Sequence, residues 1–246
     1  FTTSSAVSGW SGTKQLGTSN VDEGKSVASD SSGNIYVTGN TLGNLDGNTN
    51  AGDRDLFVVK YNSSGIKQWT KQLGTAVADY GWGNSSDSSG NIYVTGVTSG
   101  GLDGNTNAGN LDFFVVKYSS SGTKQWTKQL GTTNADNAYS ITSDSSGNVY
   151  VTGVTLGNLD GNTNAGGWDL FVVKYNSSGT KQWTKQLGSS GYDVGRGITC
   201  DSSGNIYLTG ATYGDLDGNT NSGEYDFFVI KYNSLGTKQW ARQLGT

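Results

Sequence analysis

The side chains best suited to chemistry in this chain are the aspartates and asparagines of one loop, which recurs four times as D-G-N-T-N-[AS]-G-x-x-D. Its oxygen-bearing residues are Asp46, Asn48, Asn50 and Asp55 in the first copy and Asp103, Asn105, Asn107 and Asp112 in the second. The third copy supplies Asp160, Asn162, Asn164 and Asp169, and the fourth Asp217, Asn219, Asn221 and Asp226. Oxygen side chains at alternate positions of a tight loop, followed by a later carboxylate, are the arrangement that wraps Ca²⁺. The spacing departs from an EF-hand: the glycine (Gly52, Gly109, Gly166, Gly223) falls one place later, and the closing acid is an aspartate two places early. With two carboxylates per loop an ion would bind weakly, at about 10⁻⁴ to 10⁻³ M, and would stabilise rather than catalyse. The competing reading needs no ion, because Asp-Gly and Asn-rich segments make side-chain-to-backbone turns unaided and tolerate left-handed backbone. The sequence leaves both readings open.

A second recurring acid, at Asp22, Asp79, Asp136 and Asp193, is expected to cap backbone amides of its own loop. Near it the copies stop agreeing. One set of equivalent positions reads Lys25, Trp82, Tyr139, Arg196; a second reads Arg54, Leu111, Trp168, Tyr225; a third reads Glu23, Tyr80, Asn137, Val194. Aromatic and arginine side chains displayed on loops above a rigid scaffold are the material of interaction hot spots. Trp82, Tyr139, Trp168 and Tyr225 are the expected contacts to a protein or glycan partner, with drift at exposed sites as the alternative.

The elements that must position these loops follow from a strict period. The phrase D-S-S-G-N-[IV]-Y-[VL]-T-G starts at Asp30, Asp87, Asp144 and Asp201, each 57 residues after the last. Its Asp, Ser and Gly are turn residues, and the Ile-Tyr-Val-Thr that follows has the β-branched and aromatic composition of a strand. In the second copy, residues 113–118 (F-F-V-V-K-Y) read as a strand covered on both faces. Residues 123–130 alternate, with Trp126 and Leu130 on one side, as an outer strand does.

Four short antiparallel strands in each repeat are the signature of a β-propeller blade. The expected fold is all-β: one propeller domain, residues 1–246, with 57-residue blades at approximately 19–75, 76–132, 133–189 and 190–246. Residues 1–18 form an extra N-terminal outer strand and arm, because K-Q-L-G-T at 14–18 matches R-Q-L-G-T at 242–246.

The joint pattern of D-S-S-G-N-I-Y-V-T-G, D-x-F-V-V-K-Y-N-S-S-G and K-Q-W-T-K-Q-L-G resembles the bacterial β-propeller repeat family labelled SBBP. The resemblance covers residues 10–246 and implies a propeller on secreted or surface-attached proteins, often of seven blades, with no catalytic residues. Four blades plus one strand depart from that number.

Composition narrows function further. Histidine is absent, which removes the commonest general base and imidazole metal sites. Carboxylate pairs could serve hydrolysis, but identical acids in every blade do not suit a single active site, so the chain is read as no enzyme. The 16 basic and 20 acidic residues, net −4, are spread evenly and attract neither nucleic acid nor an anionic membrane. No apolar run approaches the roughly 20 residues of a membrane span. The one cysteine, Cys200, stands where other copies carry serine. A chain that opens on Phe1 and holds no methionine is read as processed or cut from a longer one, a secretory signal being one route. The expected function is a non-catalytic secreted or cell-surface structural and interaction module. Two further expectations are a multivalent lectin and self-association, as oligomer or filament, through exchange of the duplicated strand.

Overall fold

The computed structural model describes residues 12–246. Sixteen strands form four sheets of four, and each sheet is one sequence repeat. The first holds β1 (Asp22–Ser29), β2 (Ile35–Thr41), β3 (Asp55–Tyr61) and β4 (Lys67–Leu73), paired antiparallel in chain order. The second holds β5 (Asp79–Ser86), β6 (Ile92–Thr98), β7 (Asp112–Tyr118) and β8 (Lys124–Leu130). The third is β9 (Asp136–Ser143), β10 (Val149–Thr155), β11 (Asp169–Tyr175) and β12 (Lys181–Leu187). The fourth is β13 (Asp193–Cys200), β14 (Ile206–Thr212), β15 (Asp226–Tyr232) and β16 (Lys238–Leu244).

Each repeated phrase has a local cause. Asp30 Oδ1 accepts the amide N–H groups of Ser32 and Asn34, and its Oδ2 accepts Asn34 Nδ2 and the Tyr36 hydroxyl. Gly33, at φ +75°, closes that turn. The glycine that ends the phrase is fixed by a close approach: a β-carbon on Gly96 would run into the Tyr80 carbonyl oxygen. The strand opposite carries a bulge at that level, between Gly81 and Gly83.

The core lies between blades. Tyr93, Phe113 and Val115 of the second blade face Ile141, Val149, Val151, Phe171 and Val173 of the third, all buried, while the neighbouring Phe114 and Val116 face back toward the first. This alternation is why the third strand of each blade reads as a continuous apolar run. Polar bonds lock the same interfaces. Nζ of Lys60, Lys117 and Lys174 donates to the carbonyls of Ser120, Ser177 and Ser234 in the next blade, at 2.9, 3.0 and 3.1 Å. Trp69 and Trp126 donate Nε1 to the first two of those carbonyls at 3.2 Å.

Innermost strands pack in the order β1–β5–β9–β13, and no comparable packing joins β13 to β1 among the described residues. The strands begin earlier than the sequence suggests, because Asp22, Asp79, Asp136 and Asp193 open the inner strands instead of lying in the preceding loops. The extra outer strand expected at the N-terminus is not formed: residues 13–17 carry no strand pairing, and residues 1–11 lie outside the described part. A strand needs a neighbour's backbone, and among the described residues none pairs with residues 13–17. Leu16 instead packs against Leu45, Phe57 and Val59 on the outer face of the first blade.

Candidate functional site

The D-G-N-T-N loops are built on Leu45 and its equivalents, which plug the core and start a single 3₁₀ turn, Leu45–Gly47. Asp46 takes left-handed backbone at φ 54° and Gly47 follows at φ 78°, a pair of conformations that Asp-Gly tolerates and most dipeptides do not. Several of the loop oxygens have internal partners. Asp46 pairs with Lys67, and the same bond joins Asp103 to Lys124, Asp160 to Lys181 and Asp217 to Lys238. Burial works to raise the Asp46 pKa, but the pairing with Lys67 outweighs it and holds the carboxyl below its ordinary value.

Asn48 donates Nδ2 to the Leu45 carbonyl at 2.8 Å, and Asn50 Oδ1 accepts the Gly52 N–H at 2.9 Å. Buried Asp55 accepts the Ala51 N–H at 2.9 Å and Gln72 Nε2 at 3.0 Å on Oδ2, while its Oδ1 is pressed against Gly74. Asn105, Asp112, Asn162, Asn164, Asp169, Asn219, Asn221 and Asp226 repeat these bonds, as does Asn107 with the Gly109 N–H. Among the described residues no three acidic or sulfur side chains gather at a common point. Oδ1 of Asp55, Asp112, Asp169 and Asp226 is buried and has no hydrogen-bond partner.

The second acid caps as its sequence position suggests. Asp79 Oδ2 accepts the Thr75 N–H at 2.6 Å and its hydroxyl at 2.9 Å, and Asp136 and Asp193 repeat both bonds. Burial raises the pKa of Asp79 and Asp136 despite these bonds, and Asp55 and Asp112 respectively add to the rise. The capping strand also meets the preceding loop, because the Asp79 N–H donates to the Arg54 carbonyl at 2.6 Å. The two loop sets therefore share one face.

The divergent residues on this face come together. Register shifts fall at Gly24/Ser26, Gly81/Gly83, Thr152/Gly153 and Gly195/Gly197, so Lys25, Trp82, Tyr139 and Arg196 are the bulge residues of the four inner strands. A bulge re-aims its side chain out of the pleat. Trp82 stacks on Tyr139 with centroids 5.2 Å apart, and the Arg196 guanidinium lies 4.8 Å from the Tyr139 ring. On the other side Tyr80 sits 6.1 Å from Trp82, and Arg54 lies 5.8 Å from the Tyr80 ring. Glu23 closes that end with contacts to Lys25 at 3.0 Å and Arg54 at 3.7 Å. One row, Arg54–Tyr80–Trp82–Tyr139–Arg196, thus crosses all four blades.

The family model for the SBBP beta-propeller repeat matches residues 12–46, 68–103, 125–160 and 182–217, more than half of the chain. The chain belongs to the SBBP β-propeller repeat family.

Among curated relatives, this SBBP chain is 26% identical over 259 residues to an uncharacterised WD repeat-containing protein of Acanthamoeba polyphaga mimivirus, covering 94% of the chain and 16% of that protein. It is 28% identical over 192 residues to the regulatory protein FlaEY of Caulobacter vibrioides, covering 70% of the chain and 20% of that protein. The chain therefore spans a fifth or less of these relatives. Among solved structures it is similar to a luciferin-regenerating enzyme, at TM-score 0.42 and 13% identity over 89% of this chain and 62% of that one. A protein of unknown function from Bacteroides caccae matches at TM-score 0.35 and 12% identity, over 90% of this chain and 82% of that one.

Of the four partner residues expected in this SBBP chain, the structure joins Trp82 to Tyr139. It places Tyr225 apart, edge-on to Tyr213 at 5.0 Å, and Trp168 half-buried on the third loop. Tyr80, Arg54 and Arg196 belong to the row but were not singled out from sequence. Their signal was present, since each sits in one of the three divergent position sets.

Proposed function

We propose that this SBBP array is a non-catalytic, secreted or cell-surface interaction module whose contact surface is the Arg54–Tyr80–Trp82–Tyr139–Arg196 row. One observation carries the reading: four nearly identical blades differ at their bulge residues and at neighbouring loop positions, and Trp82, Tyr139 and Arg196 from the bulges with Tyr80 and Arg54 beside them make one continuous aromatic and cationic row. The family is one of repeat proteins, and neither curated relative is named as an enzyme. Aromatic faces flanked by guanidinium groups suit a protein segment that offers an apolar or aromatic side chain beside carboxylates.

Panning a displayed peptide library tests this. We expect acidic, aromatic-containing sequences to be enriched by the wild type and lost with Trp82→Ala or Arg196→Ala. The lectin reading rests on the same stacked pair, whose outer faces could lie on sugar rings. A glycan array decides between them: glycan signal that Trp82→Ala abolishes, with no peptide enrichment, replaces the peptide reading. Secretion rests on composition and the family resemblance, and recovery of the chain from medium or cell surface by antibody tests it. The loops are proposed to hold their shape without calcium, because Asp46 pairs with Lys67 while Asn50 Oδ1 and Asp55 Oδ2 accept internal donors. Exchange of a duplicated strand finds no strand in residues 13–17 to exchange.

A further inference from the structure

The D-S-S-G-N turns carry two serines that the turn itself does not use. Asp30 closes the turn by accepting the Ser32 and Asn34 amides, the Asn34 side chain and the Tyr36 hydroxyl, with Gly33 in left-handed backbone. Among the described residues the hydroxyls of Ser31 and Ser32 bond to nothing, and the serine pairs that start at Ser88, Ser145 and Ser202 repeat this. All of these serines are exposed, and all four copies keep them. Exposed positions elsewhere drift: the turn between third and fourth strands reads Ser64, Ser121, Ser178 and Leu235. Turn chemistry accounts for the Asp, Asn and Gly, and not for hydroxyls that make no bond within the turn.

The serine turns meet across the blade interfaces, at the strand ends opposite the aromatic row. Between the first and second blades they line a cavity of about 310 Å³ together with Asp30, Asn34 and Lys60. Between the third and fourth the equivalent cavity, of about 230 Å³, holds Asp144, Asn148 and Lys174. The second and third blades bring the same residue types, Asp87, Asn91 and Lys117, to the interface they share.

The walls define what fits. Lys60 Nζ reaches the Ser120 carbonyl at 2.9 Å and lies 5.3 Å from the Tyr36 ring, which fixes the ammonium in the wall with further N–H donors to spare. Asn34 donates Nδ2 to Asp30 at 2.8 Å, so its Oδ1 is the end left to accept. Burial works to raise the Asp30 pKa, but hydrogen bonds led by those of Asn34 outweigh it and keep the carboxyl ionised. An anion entering the cavity would therefore meet Asp30, and a cation would meet Lys60. A neutral group dense in hydroxyls meets neither repulsion, and it both donates to and accepts from the serines around it.

From this we infer that the face opposite the row binds a neutral polysaccharide, with one sugar unit in each of the three cavities between serine turns. This uses a different surface from the peptide-binding row and stands without it. Tyr36 is fully buried beneath Lys60 and offers no face for stacking, so a single sugar is held weakly. Preference for polymer over monosaccharide follows from three sites on one rigid body.

Affinity electrophoresis of the full chain is the test, in native gels cast with dextran, mannan, galactomannan or starch, and with dextran sulfate as the charged control. We expect at least one neutral polymer to retard the wild type, dextran sulfate to leave it unretarded, and Trp82→Ala to be retarded as the wild type is. Ser32→Ala, Ser89→Ala, Ser146→Ala and Ser203→Ala together alter all three cavities and are expected to weaken binding about tenfold or more, with any one of them alone costing less. These hydroxyls hold no internal bond, so the variant keeps its fold, which circular dichroism checks. The inference is overturned if no neutral polymer retards the wild type, if dextran sulfate retards it as strongly, or if retardation survives the four serine changes. Retardation that Trp82→Ala abolishes would assign the sugar to the row and overturn it equally.

Discussion

Oδ1 of Asp112 stands in the space that a β-carbon on Gly131 would occupy. This accounts for the glycine of the recurring Q-L-G phrase at positions 74, 131, 188 and 245, each of which meets the equivalent aspartate. Gly131→Ala must push a buried carboxylate away from its Ala108 and Gln129 donors. The expected cost is about 1–3 kcal/mol, the range for overpacking a close-packed site. Urea denaturation measures it. A midpoint unchanged from wild type would refute the close approach.

Lys174 and Lys231 are the same residue in successive repeats, yet only one has a blade to hold. Lys174 donates to the Ser234 carbonyl at 3.1 Å and lies 5.3 Å from the Tyr150 ring. Lys231 lies over Tyr207 but has no equivalent bond among the described residues. Lys174→Met is expected to lose about 1 kcal/mol, the net worth of a hydrogen bond with a charged donor in a half-exposed setting. Lys231→Met, measured in dilute protein, is expected to change nothing resolvable. Equal losses would show that the cross-blade bond contributes no stability.

The same pair shows where sequence reading stops. The period, the four strands and their facing were legible because alternation and turn chemistry are local: Asp30 with Asn34 and Tyr36 closes its turn whatever surrounds it. Phe113 and Phe227 stand in the same D-F-F-V motif, and only a neighbouring blade makes one buried and the other exposed. The K-Q-L-G-T of the arm reads as a strand for the same reason, although among the described residues it pairs with no sheet. Trp82, Tyr139 and Arg196 were visible as divergent positions. Their stacking was not, because it depends on bulges that bring residues 57 apart in sequence into line.

Two sets of carboxylates pull stability in opposite directions with pH. Burial raises the pKa of Asp55, Asp79, Asp136 and Asp169 in the folded state above the unfolded value of about 3.9. The folded state then binds their protons more readily, so stability rises as pH falls from neutrality through those raised values. Asp201 behaves oppositely, because bonds from Asn205 lower it to about 2, and Asp30 and Asp144 are lowered too, their hydrogen bonds outweighing burial. Their contribution is present above about pH 3.9 and is lost as pH falls through the lowered values. The urea midpoint is therefore expected to peak in mildly acidic buffer and to fall toward pH 2. Asp79→Asn with Asp136→Asn should flatten the rise and leave the acid limb intact. A midpoint that falls steadily from pH 7 downward contradicts this assignment.

Calcium offers a direct check on the D-G-N-T-N loops. An ion would need Asp103 to leave Lys124, while the left-handed turn at Asp103 keeps that carboxylate beside the lysine and Asp112 Oδ2 stays bonded to the Ala108 N–H and Gln129, leaving Oδ1 as its one oxygen without a donor. Breaking internal bonds to coordinate a cation with two carboxylates per loop returns little free energy, since weak extracellular sites of this kind hold calcium only at about 10⁻⁴ to 10⁻³ M. The melting midpoint is therefore expected to be the same in millimolar calcium and in chelator. Lys124→Met sharpens the experiment by freeing Asp103: if the loop geometry excludes the ion, this variant also shows no calcium shift, whereas a shift appearing only in the variant makes the lysine the competitor. A shift in the wild type itself would mean that the loop rearranges around the ion and that its internal bonds are the weaker set.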